Sequence, residues 1–251
     1  MVIYPLPAGL PAGSEAIPAW DAVERAQTQT AKEWWLIAQA DHAALAGDLA
    51  ACSDWAELPR TDAEILQAIR LHDEGWSVFD SRPRIEQGRP LSFLDVGAEE
   101  FLQAWEGSID RAALSGPLAG VLVSEHFCRL GRHRLELRDD PPETCEMVAG
   151  FLEAESARQG RLTAQQSRSE EQIQLLVDLL QLFDLLSLYL CCGSRDNVEF
   201  PQRFAGQRIR LYREGELCRM QPAIFGSGTS LAVRACHYPE RKSTTIPFLL
   251  G

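Results

Sequence analysis

The segment EEQIQLLVDLLQLFDLLSLYLCC, residues 170–192, is the most apolar part of the chain and constrains the fold more than any other feature. A membrane-spanning helix needs about 20 apolar residues, and this segment is long enough. Asp178, Gln181 and Asp184 interrupt it, however, and such polar side chains are rare in membrane spans. We therefore expect a helix that is buried in a globular core and ends at Gly193.

The composition favours an ordinary globular protein. The chain has 251 residues, of which 45% are hydrophobic and 24% are charged, enough to bury a substantial core. A net charge of −12 without Lys/Arg runs argues against nucleic-acid and anionic membrane partners. The seven cysteines are an odd number and form no C-x-x-C pair, which indicates reduced thiols. Because the first residues also lack the basic region of a signal peptide, we expect a cytoplasmic protein.

The N-terminal region carries weak local signals. Residues 1–18 are rich in Pro, Gly and Ala, which predicts an irregular arm. Residues 19–40 allow either one long helix or two strands. The run Trp34-Trp35-Leu36-Ile37 favours strands, so we expect a β-hairpin over 19–40.

The remaining chain predicts helices followed by strands. Helical periodicity dominates residues 41–195, apart from a long loop over 80–96. Residues 196–251 are β-rich and include a hairpin around Glu214-Gly215. The expected fold class is α+β, mainly α. It is a single domain over 1–251, in which the N- and C-terminal segments form a small antiparallel sheet.

Three of the five histidines lie on apolar helix faces. His42, His72 and His126 each follow or precede apolar residues at helical spacing, which predicts that they face inward. Neutral imidazoles are good ligands for Fe, Mn, Zn or Ni. The alternative is that each is an ordinary core histidine with a local hydrogen bond. His133 follows Gly131 among arginines and is expected to be exposed.

Asp184 is the most informative carboxylate because Phe183 and Leu185 flank it. A buried and unpaired carboxylate costs several kcal/mol, so it needs a hydrogen-bond partner, a cation or a proton. Alternatively, Asp184 lies on a polar stripe with Asp178 and Gln181 and faces water.

The order of His42, His72-Asp73 and Asp184 resembles that of the HD-domain superfamily of metal-dependent phosphohydrolases. The resemblance covers roughly residues 41–190. It implies an HD-like helical core in which these four residues bind one or two divalent metal ions.

A closer resemblance is to a bacterial family known only as a domain of unknown function, DUF family 3891. It rests on the phrases LIAQADHAALAGDLA, AIRLHDEGW, LVSEHF and LFDLLSLYLCC. This resemblance implies that His42, His72, Asp73 and Asp184 are direct metal ligands, and that His126 is an additional ligand or faces a phosphate. A six-ligand di-iron site would need two histidines between Asp73 and Asp184. The unsuitable context of His133 therefore favours one ion or a loosely bound pair.

The expected activity is hydrolysis of a phosphate ester or nucleotide, a small phosphorylated substrate, through a metal-bound hydroxide. Asp73 would bridge the metal and the water, and Glu74 or Glu125 would carry the proton. The alternatives are an iron-dependent oxygenase and a non-catalytic, metal-stabilised sensing or scaffold module.

Basic and aromatic residues near the motif would bind the substrate. Arginines suit bidentate contacts to phosphate, and Trp76 would stack on a base or cover the site. The alternative is a solvated loop with a packed tryptophan. The candidate arginines are Arg70, Arg82, Arg84 and Arg89.

Overall fold

The computed structural model describes residues 1–7, 13–137 and 140–251. About half of the chain is helical, and a large curled mixed sheet of eight strands forms a half-barrel. The predicted fold class, an HD-like helical core beside a small antiparallel sheet, is therefore wrong. The helices contribute about half of the structure, and the large sheet forms a second layer beside them.

The described ranges contain eight α-helices and ten strands. The helices are α1 (Ala19–Gln27), α2 (Gln39–Cys52), α3 (Ala63–Leu71), α4 (Ser77–Asp80), α5 (Ala98–Ala113), α6 (Pro117–Leu137), α7 (Pro142–Thr163) and α8 (Glu170–Cys191). The strands are β1 (Val2–Leu6), β2 (Ile17–Pro18), β3 (Glu33–Ile37), β4 (Ile85–Glu86), β5 (Arg89–Pro90), β6 (Val198–Phe204), β7 (Gln207–Glu214), β8 (Leu217–Gln221), β9 (Thr229–Tyr238) and β10 (Ser243–Leu250). Strands β4 and β5 form a separate small hairpin.

The large sheet has the strand order β1-β3-β9-β10-β8-β7-β6-β2. Its neighbours are antiparallel except for two parallel pairs, β10 with β8 and β2 with β6. The N-terminal strands join the C-terminal strands where Trp34, Trp35 and Leu36 pair with Tyr238, His237 and Cys236. The sheet has more strands than predicted, in part because β1 lies in the expected irregular arm. This strand pairs with β3 along its whole length.

Residues 19–40 form a helix followed by a strand, so the predicted β-hairpin is also wrong. In α1 the residues Ala19, Ala22, Val23 and Ala26 are buried. Their spacing of three, four and seven residues is that of one helix face. The strand signal was correct only for the aromatic run, which forms β3.

Helix α8 lies in the core, as the sequence predicted. By length and composition it could cross a membrane, but 72% of its most apolar window is buried inside the fold. Helices α2, α3 and α6 and strand β6 pack against it. The three helices that carry the inward-facing histidines are therefore neighbours of the helix that carries Asp184.

The free edge of β1 is covered by a side chain. Gln27 at the end of α1 is fully buried. Its Nε2 donates to the Ile3 carbonyl at 2.7 Å, and the Ile3 N–H donates to its Oε1 at 3.0 Å. The amide thus replaces a neighbouring strand at one residue, which protects an edge that would otherwise expose unpaired backbone groups.

Replacing Gln27 with alanine should destabilise the fold. The substitution leaves the buried N–H and C=O of Ile3 without partners, at a cost of about 1–3 kcal/mol in the free energy of unfolding. Urea denaturation measures the loss. The matched control is Gln165→Ala, because the Gln165 amide bonds the Arg161 carbonyl at the surface, and its cost should stay within about 0.5 kcal/mol. Equal midpoints for the two variants would contradict the edge-covering role.

Candidate metal centre

Four side chains from three parts of the helical layer meet at one point. His42 lies on α2, His72 caps the C-terminal end of α3, Asp73 follows it, and Asp184 lies on α8. One ligand atom from each residue lies within 4.8 Å of the others. Both histidine side chains are completely buried, whereas Asp73 is 9% and Asp184 is 14% exposed. We call these four residues the His/Asp cluster.

Within the cluster, each histidine presents its Nε2 to a carboxylate. His42 Nε2 lies 2.7 Å from Asp73 Oδ2, and His72 Nε2 lies 3.2 Å from Asp184 Oδ1. Asp73 Oδ2 is also 3.6 Å from His72 Nε2, so this oxygen lies between the two rings.

The Nδ1 atoms of both rings are fixed as donors. His72 Nδ1 lies 2.7 Å from the Ile69 carbonyl, which can only accept a hydrogen bond. His42 Nδ1 lies 2.9 Å from the Ser187 hydroxyl. That hydroxyl donates its one proton to the Asp184 carbonyl at 2.8 Å, so it must accept from His42. In the neutral state of both rings, the Nε2 lone pairs therefore face carboxylate oxygens.

Imidazole lone pairs and carboxylate oxygens both accept hydrogen bonds and repel each other at these distances. A proton or a metal cation must therefore lie between them. Burial lowers the pKa of His72, but the Asp73 and Asp184 carboxylates outweigh burial and raise the pKa to about 9. Burial raises the pKa of Asp184, but His72 outweighs it and lowers the pKa to about 2. The cluster can thus hold protons or a divalent cation, and two imidazoles with two carboxylates suit Zn, Fe or Mn.

His126 lies beside the cluster on α6. Its ring centroid is 5.5 Å from that of His72, and its Nε2 is 3.8 Å from Asp184 Oδ2. Burial lowers the pKa of His126 to about 4, although the Asp184 carboxylate opposes this effect. The imidazole is therefore neutral. Its buried Nδ1 has no hydrogen-bond partner among the described residues, and Nε2 is the ring nitrogen that lies near the cluster.

The family described as protein of unknown function (DUF3891) matches residues 27–239, a range that includes the whole His/Asp cluster and His126. The chain belongs to this family. The match confirms the resemblance to DUF3891 that the sequence phrases indicated, and it gives no support for a relationship to the HD-domain superfamily. No curated protein and no solved structure matched the chain.

The two glutamates predicted as proton carriers lie outside the His/Asp cluster of this DUF3891 protein. The Glu74 carboxylate accepts from the Ser77 hydroxyl at 3.4 Å near the surface. Glu125 is buried, but its carboxylate accepts hydrogen bonds from Arg132 at 3.1 Å and from Gln159 at 3.2 Å. Successive helix residues differ by about 100° in direction, so Glu125 faces α7 although its neighbour His126 faces the cluster.

The predicted substrate-binding residues make other contacts. Arg82 is exposed, and Trp76 is 3% exposed and packs edge-on against Phe79. The other three arginines pair with carboxylates: Arg70 with Asp48 at 2.6 Å, Arg84 with both oxygens of Glu100 at 2.9 and 2.8 Å, and Arg89 with Asp95 at 3.1 Å. The structure therefore gives no support for an arginine clamp in the DUF3891 chain, and it favours the packing interpretation of Trp76.

Sequence reasoning missed Ser187, which touches both His42 and the backbone of Asp184. The available sequence signal was a serine three positions after Asp184 in an otherwise apolar run. A helical serine can donate its hydroxyl to a carbonyl of the preceding turn, as Ser187 does to Asp184. The sequence signal therefore did not indicate the contact with His42.

Zinc should stabilise this DUF3891 protein through the cluster. A ligand at one hundred times its Kd contributes about 2.7 kcal/mol, which corresponds to a rise of about 5–10 °C in Tm for a domain of this size. Scanning calorimetry of chelator-treated protein with and without Zn²⁺ measures the shift.

The control for the zinc response is the exposed histidine of the same helix as His126. His133→Ala should show the wild-type rise in Tm, because His133 is exposed. His72→Ala should show none. A zinc-dependent rise of equal size in His72→Ala would place the zinc elsewhere.

Proposed function

We propose that this DUF3891 protein is a metal-dependent hydrolase that acts on a phosphate ester or nucleotide. One observation supports the proposal most directly. The Nε2 atoms of His42 and His72, whose Nδ1 protons are both committed elsewhere, face the carboxylates of Asp73 and Asp184. With its imidazoles neutral, such a donor set is suited to a divalent ion, which supports the proposal.

In one respect the His/Asp cluster resembles a catalytic metal site more than a closed structural one. The Asp184 carboxylate is 14% exposed, so solvent reaches one side of the cluster. Catalytic metal sites keep an open position for water or substrate. A divalent ion held there would lower the pKa of a coordinated water and polarise a phosphoryl oxygen.

The protein groups have separate roles in this proposal. His42, His72, Asp73 and Asp184 would hold the ion, and Asp73 Oδ2 lies between the two imidazoles. His126 is neutral at physiological pH and has an unpartnered buried Nδ1. Its Nε2, 3.8 Å from Asp184 Oδ2, is the nitrogen that would accept a hydrogen bond from the attacking water or orient the substrate.

Among the described residues, few arginine side chains near the cluster would be available to bind a substrate phosphate. In the loop that follows His72-Asp73, Arg82 is exposed, whereas Arg84 and Arg89 are paired with carboxylates. Arg129 of α6 is also saturated, since Asp178 lies 2.6 Å from its Nη1 and Gln181 lies 3.0 Å from it. Substrate charge would therefore be balanced chiefly by the ion, which favours substrates with one phosphate group near the site.

The test combines elemental analysis with a hydrolysis panel. Protein purified without a chelator or metal-binding tag should contain a stoichiometric transition metal. It should also hydrolyse some member of a panel of phosphate monoesters, diesters and nucleotides.

Asp73→Asn should lower turnover at least about 100-fold, the scale of losing a group that stabilises the transition state. The control Glu74→Gln should retain wild-type turnover, because Glu74 contacts Ser77 rather than the cluster. If the metal-loaded protein is inactive on the whole panel, the proposed hydrolase function is wrong.

A non-catalytic, metal-stabilised module is the second candidate. The observation that favours it is the complete burial of both histidine side chains, which join α2 and α3 to α8. Structural metals contribute directly to folding energy. This candidate predicts a large fall in Tm on metal removal without turnover. Oxygen consumption by the iron-loaded protein would instead identify an oxygenase.

A further inference from the structure

Ser187 is a completely buried residue of α8 that contacts two members of the His/Asp cluster. Its hydroxyl donates to the Asp184 carbonyl within the helix and lies 2.9 Å from His42 Nδ1. Since the only hydroxyl proton is directed at the Asp184 carbonyl, the Ser187 oxygen is an acceptor toward His42. His42 Nδ1 must therefore carry a proton.

The proton on Nδ1 matters because His42 has a competing partner on its other nitrogen. Asp73 Oδ2 lies 2.7 Å from His42 Nε2, and this carboxylate would accept a proton held there. In that second tautomer, Nε2 is a donor and has no lone pair for a metal. Ser187 and Asp73 thus favour opposite tautomers of the same neutral ring.

In His72, a backbone carbonyl takes the place of the serine hydroxyl as the acceptor for Nδ1–H. Its Nδ1 donates to the Ile69 carbonyl at 2.7 Å, three residues earlier in α3. This bond leaves Nε2 directed at Asp184. His42 has no such contact with its own helix among the described hydrogen bonds, so the side chain of Ser187 supplies the acceptor. Hydrogen bonds of this kind to the distal nitrogen commonly fix the orientation and tautomer of metal-binding histidines.

We propose that Ser187 is a positioning residue that fixes His42 in the Nδ1–H tautomer and thereby directs the Nε2 lone pair into the metal centre. The inference rests on the metal-binding part of the proposed function and does not depend on the reaction. Ser187 would act through His42, which it contacts, and not as a ligand of the ion.

The experiment measures Zn²⁺ affinity by competition with a chromophoric chelator, and the absorption spectrum of the Co²⁺-loaded protein. Ser187→Ala should bind Zn²⁺ about 10–100-fold more weakly, the usual effect of losing a partner of a metal-binding histidine. Its Co²⁺ spectrum should change, because the coordination of His42 is altered. Ser187→Thr keeps the hydroxyl and should restore most of the affinity and the wild-type spectrum.

The matched control is Tyr189→Phe. Tyr189 is fully buried on the same helix, and its hydroxyl donates to the Asp196 carbonyl at 2.6 Å, without a contact to the cluster. Tyr189→Phe should bind Zn²⁺ and Co²⁺ as wild type does. Circular dichroism of each metal-free variant establishes that it is folded.

The outcomes separate the two proposals. Wild-type affinity and an unchanged spectrum in folded Ser187→Ala would overturn the role of Ser187 while leaving the metal centre in place. Equal losses in Ser187→Ala and Tyr189→Phe would also overturn it, because the effect would then follow from helix packing. Failure of the wild-type protein to bind either ion would overturn the metal centre and the role of Ser187 together.

Discussion

A nearly buried, ionised carboxylate at the centre of the helical layer is the constraint on which the site depends. Asp184 lies between fully buried or nearly buried apolar residues of α8, so the hydrophobic burial of that helix carries the carboxylate inside. Such a charge is tolerated only when other groups compensate it. His72 lies at hydrogen-bond distance from Oδ1, and His126 lies on the side of Oδ2. The packing of α3 on α8 brings the compensating imidazole of His72 to this carboxylate.

The sheet holds the helices of the cluster in place through short connections. Strand β3 ends at Ile37 and α2 begins at Gln39, so a single residue separates the sheet from the helix that carries His42. The other end of the layer is fixed similarly, because α8 ends at Cys191 and β6 begins at Val198. Arg213 of β7 reinforces this junction by donating to the Ser194 carbonyl at 3.1 Å. A large sheet is therefore part of what positions the centre, although none of its side chains belongs to the cluster.

Much of the predicted centre came from local pattern. The helical spacing of His42, His72 and His126 placed each on an apolar face. For Asp184, the apolar neighbours favoured burial, whereas the polar stripe with Asp178 and Gln181 favoured exposure to water. These signals are local, so they survive without knowledge of the fold. The roles assigned to Glu74, Glu125 and the arginines rested only on proximity along the chain. They lack structural support because adjacent residues on a helix face different directions, and because Arg70, Arg84 and Arg89 have nearer carboxylate partners.

By itself the sequence determined that α8 is a core helix and that the chain resembles DUF3891, a resemblance that made His42, His72, Asp73 and Asp184 candidate metal ligands. Only the tertiary structure decided that their ligand atoms meet within 4.8 Å, and which ring nitrogen faces the carboxylates. It also decided the size of the sheet, since β3 pairs with β9 about two hundred residues later in the chain. The physical reason is common to these features. Side-chain tautomers and strand partners are set by groups distant in sequence, and no local periodicity encodes them.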